Sequence, residues 1–214
     1  MTADLAADSD TLRRRLARPA LEVAPRLLGW QLSHTTSEGT VSVRLTEVEA
    51  YEGSADPAPH AYRGRTARNA VMFGPAGHLY CYFSYGMHWC ANVVCGADDV
   101  ASAVLLRAGR VVAGVELARS RRGERVANTD LARGPASLTR ALGIDGSCSG
   151  VDLLDEQAPL RLVPGSVDGA VDHGPRVGIR HAAERPWRFW LSGDATVSAY
   201  RRGGRSRPAR DVTP

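Results

Sequence analysis

Apolar and polar positions alternate over several short segments of this chain, which indicates a sheet rather than a helical bundle. Strand patterns fall at 30–34, 41–50, 80–84, 89–94, 101–107, 159–163 and 186–191. Helix patterns fall at 12–28, 111–122 and 134–142. In the last of these, Pro135 stands in the first turn and Gly143 just beyond the end. These elements predict a mixed α/β (α+β) fold with a curved, mainly antiparallel sheet and helices packed around it.

The two ends of the chain are expected to lie outside this domain. Residues 1–10 are polar and acidic, and residues 201–214 are rich in arginine without hydrophobic periodicity. Such segments bury too little apolar surface to fold, so we predict disorder in both. A chain of 214 residues suits one domain better than two. We therefore predict a single domain over 11–200.

The composition adds three expectations. All 27 basic residues are arginine, which gives many bidentate phosphate donors and no lysine amine. The four cysteines form no Cys-x-x-Cys pair and predict reduced core thiols rather than disulfides or a metal site. The polar first residues argue against a secretory signal, and no apolar run approaches the ~20 residues of a membrane span. We expect a cytoplasmic protein without a metal or cofactor.

A pair of carboxylates ends one strand. Val41, Val43 and Leu45 are followed at the same two-residue spacing by Glu47 and Glu49. Period-two geometry predicts all five on one face of the strand. Buried carboxylates are costly unless they are paired. The acids therefore indicate either an active site or a strand end that is neutralised by arginine.

The segments 80–84 and 89–94 predict a β-hairpin. Its turn is Tyr85-Gly86-Met87-His88, whose large side chains differ from the small polar residues usual in turns. Such a tip favours insertion into a base stack or a partner's groove. Packing of the tip against its own core is the alternative. The Pro- and Gly-rich loop 52–78 before the hairpin is long enough to predict a functional loop.

Several motifs together resemble the alkyladenine (3-methyladenine) DNA glycosylase family. They are Glu47-Val48-Glu49-Ala50-Tyr51, His60, Arg68-Asn69, Met72-Phe73, Gly77-His78-Leu79-Tyr80, Tyr85-Gly86-Met87-His88, Leu105-Leu106-Arg107, Gly134-Pro135, Ala141-Leu142-Gly143-Ile144 and Arg176-Val177-Gly178-Ile179. The resemblance covers about 19–198. One departure concerns the family's usual Gly-Pro-x-Lys-Leu motif, where Ser137 replaces the lysine and puts its phosphate contact in doubt.

The resemblance implies a DNA glycosylase of base excision repair. Such an enzyme flips an alkylated or deaminated purine out of duplex DNA and hydrolyses its glycosidic bond with an activated water. Glu49 matches the family's general base and Arg107 the arginine that helps to hold the water, while Glu47 is expected to support them. Tyr51, His60, Tyr82 and Asn92 match the base pocket.

The resemblance also implies how DNA is held. Tyr85 matches the intercalating residue of a hairpin that enters the minor groove. Met87, His88, Arg63 and Arg68 are predicted to contact DNA. The expected partner is double-stranded DNA with damaged purines, bound by a monomer. Strand nicking proceeds through an amine, so a chain without lysine is predicted to be monofunctional and to leave an intact abasic strand.

Two other classes of function remain open on the residues alone. One is a metal-dependent hydrolase with Glu47, Glu49, Asp56 and His60 as ligands, although no His-x-His or His-x-x-x-His pair supports it. The other is a non-catalytic module that recognises bent or damaged duplex. Each candidate residue also has a purely structural interpretation. Tyr51 and Tyr82 could be core aromatics, and Asn92 could cap a buried backbone group. His60 could simply be exposed, and Arg107 could pair with a carboxylate.

Overall fold

The computed structural model describes residues 8–53, 56, 64–84, 86–167 and 169–203. Four α-helices occur in these residues: α1 (Ser9–Leu16), α2 (Ala20–Leu27), α3 (Val115–Arg122) and α4 (Pro135–Leu142). The strands are β1 (Gln31–Thr36), β2 (Gly39–Glu52), β3 (Leu79–Ser84), β4 (His88–Val94), β5 (Ser102–Ala113), β6 (Leu160–Val163), β7 (Val171–Gly174) and β8 (Arg188–Leu191). They form one curled antiparallel sheet with the helices around it, which confirms the predicted fold class.

Strand β2 is the centre of the sheet. Strand β5 pairs along one edge of it, and the order β3-β4-β5-β2-β1-β6 follows from these pairings. The other edge of β2 is shared by two strands, because β1 pairs with its first half and β8 with Glu47–Glu49. Strand β7 continues outward from β8. The long β2 therefore carries its side chains from the main core to a second environment beside β8.

The main core lies between the sheet and the helices. Leu32 stands opposite Val43 on one side and Leu162 on the other, and all three side chains are buried. Val23 and Leu27 of α2 and Leu138 and Leu142 of α4 join the same cluster. Burial of each such side chain contributes about 1.5–3 kcal/mol. This packing fixes β2 and β5, which carry the candidate catalytic residues.

The predicted elements compare with the structure as follows. The hairpin at 80–84 and 89–94 is confirmed as β3 and β4, and the helix at 134–142 is confirmed as α4. The helix predicted at 111–122 is wrong over its first residues, because β5 continues to Ala113 and Gly114, with φ 69°, separates it from α3. Pairing with β2 outweighs the weak helical preference of the valines there.

All four cysteines are buried free thiols, as predicted. Burial raises the pKa of the Cys81 and Cys95 thiols to about 12, so these thiols stay protonated at neutral pH. Helix α1 begins at Ser9, inside the segment predicted to be disordered, while residues 1–7 and 204–214 lie outside the described residues. In the part of the chain that the structure describes, no helix is long and apolar enough to cross a membrane.

Candidate active site

Two irregularities in the pairing of β2 with β5 turn Glu47 and Glu49 away from the main core. The register shifts between Leu45 and Glu47 and again between Glu47 and Val48. Apolar side chains up to Leu45 pack in the main core, and after the shift Val48 and Ala50 do so. A one-residue irregularity exchanges the two faces of a strand. The prediction that both carboxylates continue the apolar face is therefore wrong.

A pocket of about 830 Å³ lies on the face to which the carboxylates turn. Leu105 pairs with Glu49 and Asn92 pairs with Leu105, and both line this pocket. Its walls also include Tyr51, Arg68, Tyr80, Tyr82, Arg107 and residues 177–181. A volume of this size, aromatic walls and a few polar groups are typical of a small-molecule site. The pocket is thus suited to a flat, polar-edged ligand such as a nucleobase.

Glu49 lies directly behind the pocket wall and is fully buried. Its Oε1 accepts the Val177 N–H at 2.7 Å and lies 3.2 Å from the Arg107 guanidinium. Its Oε2 accepts the Tyr51 hydroxyl at 2.9 Å. Val177, Arg107 and Tyr51 all line the pocket. These three donors, among the described residues, use fewer than the about four lone-pair sites of a carboxylate, so Glu49 can accept one more donor.

Glu47 has a different environment. Its Oε1 accepts from Arg107 Nε at 2.7 Å, Arg188 Nε at 2.7 Å and Ser198 Oγ at 2.9 Å, and its Oε2 accepts the Ser198 N–H at 2.6 Å. Four protein donors bind this carboxylate, and three of them share Oε1. Glu47 therefore holds the Arg107 and Arg188 side chains in place.

Arg107 joins the two carboxylates. Burial lowers the pKa of its guanidinium, but Glu49 and Glu47 outweigh burial, and the pKa lies above its ordinary value. The guanidinium is therefore a permanent cation beside Glu49. This contact agrees with both interpretations of Arg107, as a carboxylate partner and as part of the site.

The tyrosines of the pocket stay neutral. Burial raises the pKa of the Tyr51 hydroxyl well above its ordinary value, and the Glu49 carboxylate raises it further. Burial also raises the pKa values of the Tyr82 and Tyr80 hydroxyls. The two rings are stacked, with their centroids 5.9 Å apart. Neutral, stacked phenol rings present electron-rich faces that favour a cation.

A buried ion pair holds Tyr51 and Val177 in place. Arg176 and Asp56 have fully buried side chains, and both terminal nitrogens of Arg176 bind the carboxylate oxygens of Asp56. Arg176 also donates to the Ala50 carbonyl at 2.9 Å, and its guanidinium lies 4.6 Å from the centre of the Tyr51 ring. The ring of Trp187 covers it at 5.0 Å. Arg176 thereby ties the segment that contributes the Val177 N–H to the end of β2.

Two further predicted site residues lie at the pocket. The Asn92 side-chain amide donates to the Tyr80 carbonyl at 3.1 Å, as the capping interpretation predicts, and the side chain also lines the pocket. Arg68 lines the pocket and donates to the Phe83 carbonyl at 3.0 Å. Both side chains therefore have fixed orientations beside β3.

The hairpin turn follows Ser84, which lines the pocket, and β4 begins at His88. Met87 is 67% exposed and His88 is also exposed. Tip packing against the core is therefore not observed for these two residues. The predicted positions Tyr85, His60 and Arg63 lie outside the described residues.

The sequence did not predict the roles of four residues that build the site: Arg176, which stands in one of the family motifs, Asp56, which was considered as a metal ligand, Arg188 and Ser198. In the alternation at 186–191, Arg188 lies opposite the apolar side chains of Trp187, Phe189 and Leu191, which predicts exposure, but its side chain is only 5% exposed. The signal that could have found it is an arginine between two tryptophans, because guanidinium groups stack on aromatic rings.

The carboxylates named for a metal site face arginines instead. Asp56 binds Arg176, and Glu47 binds Arg107 and Arg188. Over the described ranges, no group of three His, Cys, Asp or Glu side chains lies close enough together to hold a metal ion.

Ser137, where the resemblance implied a lysine, lies on α4 and accepts a hydrogen bond from Arg122 of α3 at 2.8 Å. Burial lowers the pKa of Arg122, and the nearby Arg140 lowers it further. A cation from the neighbouring helix therefore stands beside this position.

Comparisons with known proteins identify the family of this chain. The family described as methylpurine-DNA glycosylase (MPG) matches residues 14–195. A protein of Streptomyces avermitilis is 52% identical over 193 residues, covering 88% of this chain and 91% of its own. A protein of Mycobacterium tuberculosis is 50% identical over 203 residues, covering 92% of this chain and 97% of its own. Both are named "Putative 3-methyladenine DNA glycosylase". The chain belongs to the methylpurine-DNA glycosylase family.

Proposed function

We propose that this protein is a monofunctional DNA glycosylase that removes alkylated or deaminated purines from duplex DNA by means of a water activated by Glu49. The observation that carries the proposal is the position of the Glu49 carboxylate directly behind an aromatic pocket, held by Val177, Arg107 and Tyr51. The family supports the wider activity, glycosylase action on DNA.

Glu49 suits the chemistry of glycosidic cleavage. As the bond between the base and the sugar C1′ breaks, its electron pair leaves with the base and the sugar becomes oxocarbenium-like. Water attacks C1′, a new C–O bond forms, and Glu49 accepts the proton. The ionised carboxylate also stabilises the positive charge on the sugar. The Arg107 guanidinium, 3.2 Å from Glu49 Oε1, places a permanent positive charge beside this carboxylate.

The pocket suits a positively charged purine. Tyr82 and Tyr80 have neutral, electron-rich rings. The Arg176 guanidinium already stacks on one face of the Tyr51 ring. We therefore assign selection for a cationic base mainly to Tyr82. Asn92 is proposed to crowd the exocyclic amino group of guanine, and His60 is proposed to complete the pocket wall.

The hairpin is proposed to open the duplex. Tyr85 would fill the gap that the extruded nucleotide leaves, with the exposed Met87 and His88 against the minor groove. Arg63 and Arg68 would bind backbone phosphates. We propose that a monomer acts in this way on cytoplasmic DNA.

A glycosylase assay on a panel of duplexes tests the proposal. Each duplex carries a single 7-methylguanine, 3-methyladenine, hypoxanthine or ethenoadenine, and alkali cleavage reveals abasic sites. The expected result is alkali-dependent cleavage of at least one lesion duplex and none of the undamaged control. Tight lesion binding without abasic sites on any duplex would instead indicate a non-catalytic recognition protein.

A further inference from the structure

The four charged side chains Glu47, Glu49, Arg107 and Arg188 form one buried network. We propose that Arg188 is a positioning residue that acts through Glu47 on Arg107 and thereby sets the charge around Glu49. This inference rests on the proposed function, because it concerns the same water-activating carboxylate. Arg188 itself is not one of the residues that line the pocket.

Arg188 is fixed from every side. It stands opposite Glu49 in the β2–β8 register, yet its Nε donates to Glu47 at 2.7 Å. Its NH2 donates to the Ser198 carbonyl at 2.6 Å, and its guanidinium lies 4.6 Å from the centre of the Trp190 ring. A guanidinium held by two acceptors and an aromatic face has one orientation.

Glu47 transmits this order to Arg107. The Nε atoms of Arg188 and Arg107 donate to the same oxygen, Oε1 of Glu47. Arg107 is thus anchored at Nε, which leaves its NH1 3.2 Å from Glu49. Loss of Arg188 would allow Glu47, and Arg107 with it, to shift relative to Glu49. Glutamine at position 47 would still offer Arg107 an oxygen acceptor, and Arg107 NH2 also donates to Ser198 Oγ at 3.4 Å, so Arg107 stays beside Glu49 when Glu47 loses its charge.

The network is also balanced in charge, with two carboxylates and two guanidinium groups. Without Arg188, Glu47 and Glu49 would share one arginine. Because charges interact strongly in a buried site, the excess negative charge would make Glu49 harder to ionise. Without Glu47, two arginines would face Glu49 alone, and Glu49 would ionise more easily. The two removals therefore have opposite signs.

Other groups near Glu49 remain unchanged in such a comparison. They are Tyr51 on its own strand, Tyr82 on β3 and Cys90 on β4. On the segment after β7, Arg176 stacks on the Tyr51 ring, and Arg180 and His181 line the pocket.

The experiment is the pH profile of single-turnover excision for Arg188→Gln, Glu47→Gln and the double variant. The acidic limb of the profile reports ionisation of the general base. For Arg188→Gln we expect the limb to move up by about one pH unit and the rate at neutral pH to fall at least about tenfold. For Glu47→Gln we expect the acidic limb to move to lower pH. The double variant removes one charge of each sign, so its limb should return toward that of the wild type.

Arg188→Lys separates charge from geometry. The acidic limb of this variant should lie at the wild-type pH, because the positive charge is kept. Its rate of excision should stay below that of the wild type, because an ammonium group cannot reproduce the planar contacts of guanidinium. Arg110→Gln is the matched control: Arg110 lies on β5 but is 59% exposed, and it pairs with Asp194 at 3.1 Å outside the network. Its profile should match the wild type.

The inference is overturned if Arg188→Gln and Glu47→Gln keep the wild-type limb, whatever their rates. Limbs that move in the same direction would overturn it as well. If Arg188→Gln does not fold, the other two variants decide the test. The acidic limb of Glu47→Gln must then move to lower pH, and that of Arg188→Lys must lie at the wild-type pH. Activity of the wild type and Arg110→Gln distinguishes failure of this inference from failure of the proposed function, in which neither protein would excise a base.

Discussion

Replacement of Asp56 by asparagine tests how strongly the site depends on the buried Arg176–Asp56 pair. Both side chains are fully buried, and Asp56 accepts from both terminal nitrogens of Arg176. Asparagine keeps the shape but removes the charge, and its amide NH2 would face a guanidinium N–H. Among described residues, the remaining hydrogen-bond acceptor of Arg176 is the Ala50 carbonyl.

The expected cost follows from the burial. Breaking a buried pair by removal of one partner typically costs about 3–5 kcal/mol, because it leaves an uncompensated charge. In a domain of this size, 1 kcal/mol lowers the melting temperature by roughly 2–4 °C, so Asp56→Asn should melt about 6–20 °C lower. Replacement of both residues (Asp56→Asn with Arg176→Met) leaves no buried charge and should cost less than Asp56→Asn alone.

Thermal and urea unfolding, followed by circular dichroism, measure both variants. Arg18→Gln is the control, since the Arg18–Glu22 pair is exposed and should be worth less than about 1 kcal/mol. A destabilisation of Asp56→Asn no larger than that of Arg18→Gln would refute the reasoning. A double variant less stable than Asp56→Asn would refute it as well.

Three further predictions concern DNA. Tyr85→Ala should weaken binding to a lesion duplex by roughly 1–3 kcal/mol, the scale of a base–aromatic stack, with an unchanged melting temperature; wild-type affinity in a titration would count against the wedge. Asn92→Ala removes a side chain that lines the pocket and should increase excision of guanine from a mismatched duplex; an unchanged rate would exclude a steric filter. Borohydride added during turnover should trap no covalent protein–DNA adduct, because the chain contains no lysine to form a Schiff base; a stoichiometric adduct would point to the N-terminal amine.

Local patterns were sufficient to predict much of the fold. Alternation and turn residues predicted the β3–β4 hairpin, and Pro135 with Gly143 predicted the limits of α4. These features depend on near neighbours in the chain. The end of β5 depends instead on pairing with β2, whose residues lie far away in sequence, so the helix predicted from position 111 began too early.

The candidate site could be predicted only in part, for the same reason. Glu49, Tyr51 and Arg107 were found through their motif, but the faces of β2 were assigned wrongly, because a bulge leaves no mark in an alternating pattern. The contacts of Arg176, which stands in a family motif, and of Arg188 were not predicted, since both residues come from segments more than 120 residues after β2. Long-range hydrogen bonds of this kind produce no periodic pattern in the sequence.

The most direct test of the account compares Glu49→Gln with the wild type in single-turnover excision and in lesion binding. Glutamine fills the same space and can still accept a hydrogen bond, but it cannot take a proton from water. Excision should fall by at least ~100-fold, the scale of a general base, while the affinity for lesion DNA stays within about twofold. Glu52→Gln makes the same change on the same strand, where Glu52 accepts the Leu21 N–H, and it should excise like the wild type. Near-normal excision by Glu49→Gln would contradict the central claim that Glu49 activates the water.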